Sequence, residues 1–451
     1  MMFVVKNANI VNEGEVFKGT VVVKDERIEK VIRGNDDGFC LNNADCQCID
    51  AKDCYLVPGV IDEHVHFREP GLTGKADIQS ESRAAAAGGI TSFMEMPNTV
   101  PNALTMSLLE DKFKIAEEKS LINFSFYLGA SNDNIDEIAK VIPADVCGIK
   151  LFMGSSTGNM LVDNDLSLAR IFAESPCLIA AHCEDESIIR KNTAFFKERY
   201  GSGAPASIHP LVRDEEACYR SSARAVELAD KYGARLHVTH ISTERELSLF
   251  DSRKALKDKK ITAETCVHYL HFSDADYQKF GFRIKCNPAI KTARDREALI
   301  GGVKSGLIDT IATDHAPHRV EEKFVSDYFK CPSGFPSVQH SLPLMLEMCR
   351  NKVLDIETVV TKMAHNPAIL YQIKDRGFIR EGFYADFAIV NPKKETVVSK
   401  DNILYKCGWS PYEGTVLHNT VTHTFVNGNL VFADGVFDEN NKGKRLKFNR
   451  I

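Results

Sequence analysis

Several features that mark other classes of protein are missing from this sequence of 451 residues. No apolar run approaches the roughly 18 residues that a membrane span needs. Lysines and arginines form no basic stripe, and the formal net charge is -6, so neither a nucleic-acid partner nor a membrane surface is indicated. The first residues lack the basic start and the long apolar stretch of a signal peptide, so we expect no export.

Paired cysteines are missing too. The sequence has 13 cysteines and no CxxC pair, and only Cys46 and Cys48 are closely spaced. An odd number of cysteines in a chain of this length argues against a disulfide framework. A zinc site at Cys46 and Cys48 would need a second Cys or His pair, and none lies nearby in the sequence. We therefore expect free thiols in a cytoplasmic protein.

The two ends of the chain resemble each other in pattern. Short strand-like runs separated by turn residues predict an antiparallel β unit over residues 1–57. Similar runs recur over 371–451, where the dipeptide Asn427-Gly428 predicts a tight hairpin. We expect the ends, 1–57 and 371–451, to pair into one small composite β-sandwich domain. Residues 58–370 would then form a second domain.

The middle of the chain alternates between short apolar runs and helix-like stretches. Its eight runs are GVIDEHVHF, ITSFMEM, NFSFYLGA, VCGIKLF, CLIAAHC, RLHVTHI, ITAETCV and DTIATDH. One of the helix-like stretches between them, DEEACYRSSARAVELADKYG, ends in glycine as helices often do. Eight strands alternating with helices predict an α/β fold, a (β/α)8 TIM barrel with insertions.

Polar residues interrupt these runs at their carboxyl ends, where a buried barrel strand should be apolar. The residues are His64, His66, Lys150, His182, His240 and Asp314. All six should meet at the barrel end where active sites of this fold are built. His64 and His66 stand two positions apart and would point to the same side of a strand.

Histidines and an aspartate are donors that suit divalent metals such as zinc. Each residue alone has a plainer interpretation, a hydrogen-bonded histidine or a salt bridge for Lys150. An ammonium group cannot bind a metal, so Lys150 would have to be neutral and carboxylated by CO2 first. Only the joint pattern favours a metal centre.

The motifs taken together resemble a known family. In chain order, DEHVHFREPG, AAAAGGITSFMEMPNTVPN, GIKLFMGSSTG, AAHCED, VTHIST, IKCNPAIKT and IATDHAPH are similar to the motifs of dihydroorotases (class I type), cyclic amidohydrolases of the amidohydrolase superfamily. HVHFREPG and MPNTVPN are the most specific of them. The segment CNPAIKT departs from the family pattern after Asn287.

This resemblance implies a binuclear zinc enzyme. His64, His66 and Asp314 would hold one zinc ion, His182 and His240 the other, and carboxylated Lys150 would bridge both. The implied reaction is reversible hydrolysis of dihydroorotate to carbamoyl aspartate, a step of pyrimidine biosynthesis. A zinc-bound hydroxide would attack the ring, and Asp314 would act as general base and then general acid.

The resemblance also implies residues that bind the substrate. They are His66, Arg68, Asn98, Asn287, His318, Phe335 and Pro336. Arg68 would bind the substrate carboxylate in a two-pronged contact. The plainer alternatives are a salt bridge from Arg68 to Glu69 or Asp77, and ordinary turn or loop positions for the asparagines and His318. Residues 316–336 form a long connection of the kind that often acts as a lid.

Two other functions stay open at this point. A dihydropyrimidinase, hydantoinase or allantoinase would share the metals and Asp314 but not the need for Arg68. A non-catalytic assembly partner would lack metal ligands, and none is missing here. We expect a homodimer that acts on a small molecule, with a transcarbamoylase as a further candidate partner.

Overall fold

The structure is a computed structural model that describes residues 2–34, 46–154 and 159–450. Its strands, in chain order, are β1 (Met2–Asn12), β2 (Glu15–Lys24), β3 (Arg27–Arg33), β4 (Cys46–Asp50), β5 (Tyr55–Pro58), β6 (Val60–Val65), β7 (Ile90–Glu95), β8 (Asn123–Gly129), β9 (Gly148–Phe152), β10 (Ile179–His182), β11 (Leu236–Val238), β12 (Ile261–Cys266), β13 (Thr310–Ala312), β14 (Phe387–Asn391), β15 (Thr396–Val397), β16 (Val416–Leu417), β17 (Thr420–Val426), β18 (Asn429–Ala433) and β19 (Val436–Phe437).

The α-helices lie mainly between the strands of the middle region. Their bounds are Ile78–Ala87, Met106–Lys119, Ile135–Ile138, Asp165–Glu174, Glu186–Tyr200, His209–Val212, Glu215–Tyr232, Val267–His271, Tyr277–Phe280, Ala293–Ser305, Val320–Lys323, Ser341–Arg350, Ile356–Val360 and Asn366–Tyr371. The helix Glu215–Tyr232 shows how the sequence sets such bounds. The Asp214 side chain accepts from the Ala217 N–H at its start, and Gly233 ends it in the left-handed conformation.

The predicted barrel is confirmed. Within the described residues, β6 to β13 form an eight-stranded sheet in sequence order, and neighbouring strands are parallel. Each of the eight apolar runs contains one strand. A parallel bridge between Val65 and His315 joins the first run to the last and closes the ring. The carboxyl ends of all eight strands therefore open onto one face.

Strands from both ends of the chain form a second sheet. In the described part of the chain this sheet has nine strands, β1 to β5 with β14 and β17 to β19. The Phe3 and Phe425 rings pack 5.1 Å apart although two strands separate β1 from β17, so the sheet folds over on itself as a sandwich does. The predicted Asn427-Gly428 hairpin is confirmed, since Val426 pairs with Asn429.

Two details of the terminal regions differ from expectation. β1 to β3 are antiparallel as predicted, but β4 and β5 pair with β1 in parallel. Strand direction depends on the path of the connection, which a local pattern of residues does not encode. Among the cysteines that the structure describes, eleven are free as expected, whereas Cys48 is disulfide-bonded. No described helix has the length and apolar character needed to cross a bilayer.

Candidate metal centre and active site

The six polar residues predicted at the strand ends meet in one cavity of about 300 Å³ at the carboxyl face of the barrel. They are His64, His66, Lys150, His182, His240 and Asp314, and all are buried. Arg68, Asn98, Asn287 and His318 line the same cavity, as do Pro332, Ser333 and Gly334 from the long connection after β13. Phe335 and Pro336 are not among the residues that line it.

The backbone is unusual at three of these positions, and Arg68 is one of them with a φ angle of 70°. His240 and Asp314 each lie two residues beyond a barrel strand and adopt positive φ angles of 43° and 45°. Residues other than glycine rarely adopt this conformation, and where they do the surroundings must hold them in it. Beside Asp314, the Thr313 hydroxyl donates to Asp62 at 2.6 Å and the His315 ring contacts Glu81 at 2.9 Å. These buried contacts fix the turn that presents the Asp314 carboxylate.

One set of possible metal ligands consists of His64, His66 and Asp314. The Asp314 Oδ1 atom lies 3.3 Å from His64 Nε2 and 3.0 Å from His66 Nε2. The far ring nitrogens are also engaged, His64 Nδ1 with Glu264 Oε1 at 2.7 Å and His66 Nδ1 with Asn98 Oδ1 at 2.8 Å. Such contacts select the tautomer and turn each Nε2 lone pair toward the shared centre.

His182 and His240 form a second set. His182 Nδ1 faces His240 Nε2 at 2.8 Å, while His182 Nε2 contacts Glu184 Oε2 at 2.9 Å. Glu184 fixes the His182 ring in the way that Glu264 fixes His64. Lys150 is fully buried, and its Nζ donates to the Thr239 hydroxyl at 3.2 Å.

The electrostatics of the cavity favour neutral donors around one carboxylate. Burial lowers the pKa of His66 to about 4, although contact with Asp314 opposes this shift. Burial, followed by the neighbouring His182 and His64 rings, lowers the pKa of His240. Burial alone would raise the pKa of Asp314, but the neighbouring His64 and His66 rings outweigh it, so the pKa lies below its usual range. At neutral pH the His66 and His240 rings are therefore neutral and free to bind a metal.

Lys150 differs from an ordinary surface lysine in the same way. Burial lowers its pKa to about 8, against the opposing charges of Glu264 and Asp314. A larger share of neutral amine is thus present near neutral pH, and only the neutral amine can react with CO2 to form a carbamate. The donor set of four imidazoles, a carboxylate and this amine fits borderline divalent ions.

Arg68 lines the same cavity, and its side chain is buried. Its Nε donates to the Pro317 carbonyl at 3.1 Å, and its Nη2 lies 3.2 Å from His318 Nε2. The two carboxylates that were candidate partners are engaged elsewhere, Glu69 with Lys119 and Asp77 with Lys406. Among the described residues, no carboxylate forms an ion pair with Arg68.

The remaining residues that were predicted to bind the substrate differ in whether they line the cavity. The Asn287 side chain lines the cavity, and its Oδ1 is buried without a hydrogen-bond partner in the described part of the structure. His318 contacts Lys75 through Nδ1 at 3.0 Å. The Phe335 ring packs 5.0 Å from the His268 ring, and its carbonyl accepts from the Ala316 N–H at 3.0 Å. Phe335 therefore packs on His268 and is not among the residues that line the cavity.

Sequence reasoning missed Glu184 and Glu264, which orient the histidine rings. Both are fully buried carboxylates, Glu184 just after β10 and Glu264 within β12. A weak signal was present, because an acid inside an apolar run such as ITAETCV needs a buried partner. The identity of that partner was not readable from the sequence.

Comparison with known proteins agrees with this geometry. The model of the family described as "Amidohydrolase family" matches residues 55–431. The chain belongs to the amidohydrolase family. This amidohydrolase is 33% identical to an allantoinase of Bacillus velezensis over 96% of the chain and 94% of the relative. It is 31% identical to a dihydroorotase of Methanosphaera stadtmanae over 85% of the chain and 87% of the relative.

A solved structure of an L-hydantoinase (dihydropyrimidinase) from Arthrobacter aurescens superposes on the amidohydrolase with a TM-score of 0.90, 28% identity and 97% coverage of both chains. The names of these relatives all denote enzymes that act on cyclic amides, but the ring differs from one relative to the next. The amidohydrolase is therefore a cyclic amidohydrolase, and the choice of ring must be argued from the cavity.

Proposed function

We propose that this amidohydrolase is a dihydroorotase, which opens the ring of dihydroorotate to carbamoyl aspartate and closes it in the biosynthetic direction. The observation that carries the proposal is Arg68. A buried guanidinium that lacks a carboxylate partner is costly unless a ligand supplies the negative charge. Dihydroorotate carries a carboxylate, whereas hydantoin, dihydrouracil and allantoin do not.

The contacts around Arg68 support an anionic ligand. Lys75, which contacts His318, is balanced by Glu322 at 3.1 Å, so this nearby ion pair leaves Arg68 without a carboxylate partner among the described residues. Burial lowers the pKa of Arg68 to about 10, so the guanidinium keeps its charge at neutral pH. A planar guanidinium can bind a carboxylate through two parallel hydrogen bonds.

We assign the metal centre as follows. His64, His66 and Asp314 would hold one zinc ion, His182 and His240 the other, and carboxylated Lys150 would bridge them. When bound, two zinc ions polarise a ring carbonyl and lower the pKa of a water molecule. The family and the donor set support metal binding, while the identity of the metal and the carbamate are part of this proposal.

The other side chains of the cavity would orient the ring and transfer a proton. Arg68 orients the ring through its carboxylate, and the amide groups of Asn98 and Asn287 can bond polar atoms of the ring. Asp314 is ionised at neutral pH and can take a proton from the attacking water. It then donates that proton to the leaving ring nitrogen. Ring closure uses the same steps in reverse.

The alternative is a ring without a carboxylate, as in an allantoinase or a hydantoinase. The named relatives support it, since one is an allantoinase and the solved structure is an L-hydantoinase. The deciding experiment measures ring opening of dihydroorotate, hydantoin, dihydrouracil and allantoin in parallel by the zinc-loaded protein. A strong preference for dihydroorotate supports the proposal, and preference for a neutral ring rejects it.

A further inference from the structure

Two buried lysines tie the long connection after β13 to the segment before Asn287. Lys323 ends the short helix Val320–Lys323 and is 1% exposed, and Lys285 is 6% exposed. The Lys323 Nζ donates to the carbonyl of Lys285 at 2.8 Å and to that of Pro332 at 3.0 Å. The Lys323 side chain therefore bonds both to the segment before Asn287 and to a later residue of its own connection.

The Lys285 side chain bonds in the opposite direction, to the long connection. Its Nζ donates to the carbonyls of Tyr328 at 2.8 Å and Cys331 at 2.5 Å. Within the described residues, neither Lys285 nor Lys323 forms an ion pair with a carboxylate, and their hydrogen-bond acceptors are backbone carbonyls. A buried ammonium has a large desolvation cost, so placing two of them on backbone oxygens points to a structural requirement there.

Further contacts extend the cross-link on both sides. The Gly334 N–H donates to the same Lys285 carbonyl at 2.9 Å. The Tyr328 hydroxyl contacts His209 Nδ1 at 2.7 Å, and His209 Nε2 contacts the Cys286 carbonyl at 2.7 Å. In this structure the long connection is thus tied to Lys285 directly and to Cys286 through His209.

The cross-linked segments form one wall of the cavity. Asn287, Pro332, Ser333 and Gly334 line it, and the buried Oδ1 of Asn287 has no protein partner in the described part of the chain. We propose that Lys285 and Lys323 are positioning residues that hold this wall against the substrate ring. They would act through the backbone of residues 332–334 and through Asn287, without touching the substrate.

This inference deepens the proposed function. It rests on that function for the identity of the ring. A wall that contacts the ring does so both before and during the reaction, so its displacement weakens substrate and transition state alike. Such a loss of uniform binding raises KM and leaves kcat nearly unchanged. Loss of a metal or of Asp314 chemistry would instead lower kcat.

The test replaces each lysine with methionine, which keeps the length of the side chain and removes its donors. We expect Lys285→Met and Lys323→Met to raise KM at least about 10-fold, with kcat within about threefold and metal content unchanged. Lys323→Arg keeps a donor and should restore much of the loss. Lys330→Met, on the same connection but 81% exposed at its side chain, is the matched control and should change nothing.

A double-mutant cycle separates positioning from general damage. If Lys285 acts through Asn287, adding Lys285→Met to Asn287→Ala should raise KM by much less than it does alone. Three outcomes would overturn the proposal. They are full additivity of the two substitutions in their effect on KM, an unchanged KM in both folded methionine variants, or a fall in kcat with unchanged KM. If the methionine variants unfold, Lys323→Arg decides. A folded Lys323→Arg protein with unaltered hydrogen exchange at residues 328–334 but a KM raised at least about 10-fold would be inconsistent with positioning.

Failure of the proposed function would be recognised separately. The assays use the cyclic amide that the wild-type protein opens fastest, so a preference for a neutral ring rejects the dihydroorotase assignment alone. Hydrogen exchange of residues 328–334 provides a readout that does not involve activity. Faster exchange in Lys323→Met than in Lys330→Met supports the cross-link, and equal exchange rejects it.

Discussion

The backbone N–H of His66 donates to the carbonyl of His315 at 2.7 Å. This bond joins the residue after β6 to the residues after β13, the two elements that close the barrel. It places His66 of the first run beside Asp314 of the last, although 248 positions separate them in sequence. Closing the barrel therefore also brings together the residues of the proposed metal centre.

Replacing Lys150 tests the bridge between the two metal positions. Lys150→Ala should lose most bound metal and most activity, because Lys150 is the one lysine among the described residues that line the cavity. Metal analysis and initial rates check this, with the exposed Lys140→Ala as control. Full activity of Lys150→Ala would remove the residue from the centre.

Replacing Arg68 tests the recognition of a carboxylate. Arg68→Gln should lower kcat/KM for dihydroorotate roughly 30- to 150-fold, since a hydrogen bond to a charged group contributes about 2–3 kcal/mol. Turnover of the neutral ring hydantoin, if measurable, should not fall. The control is Arg253→Gln, a substitution of an exposed arginine. An unchanged kcat/KM for dihydroorotate would place the carboxylate elsewhere.

The two buried glutamates should act on different metal ions. Glu264→Gln and Glu184→Gln remove the charge that orients His64 and His182, respectively, and each should weaken metal binding about 10- to 100-fold. Titration with a chelator should then release one ion per subunit before the other in each variant. Equal retention of both ions in both variants would contradict the roles given to these residues.

Stability should depend on pH through buried histidines outside the metal centre. Burial lowers the pKa of His340 to about 3 in the folded protein, whereas an unfolded histidine titrates near about 6.5. Between these values the unfolded chain binds a proton that the folded chain does not, so stability is lost as pH falls from about 6.5 toward 3.

The measurement is the free energy of unfolding in urea across pH 4 to 6. His340→Gln removes one such group and should reduce the slope by about 1.4 kcal/mol per pH unit. The variant also loses the contact with the Tyr405 hydroxyl at 2.9 Å, so its stability at pH 7 should be lower. An unchanged slope would show that His340 titrates alike in both states.

Many residues of the candidate site could be predicted from the sequence because they are polar residues that interrupt apolar runs. His64, Lys150, His182 and Asp314 are polar residues in or just after apolar runs, and parallel strands in a barrel present such ends at one face. The spacing of His64 and His66 needed only the alternation of a strand. Of the wall formed by Asn287 and residues 332–334, the family resemblance implied only Asn287, and Phe335 and Pro336 are not among the residues that line the cavity.

The sequence by itself determined the barrel, the paired terminal strands and the chemistry of the metal donors, because these follow from periodicity, turn residues and side-chain type. Only the tertiary structure decided which carboxylate orients each histidine, that β4 and β5 run parallel to β1, and that Lys285 and Lys323 bind backbone carbonyls. Those contacts join residues far apart in sequence, and a carbonyl acceptor belongs to every residue alike, so no local pattern identifies it.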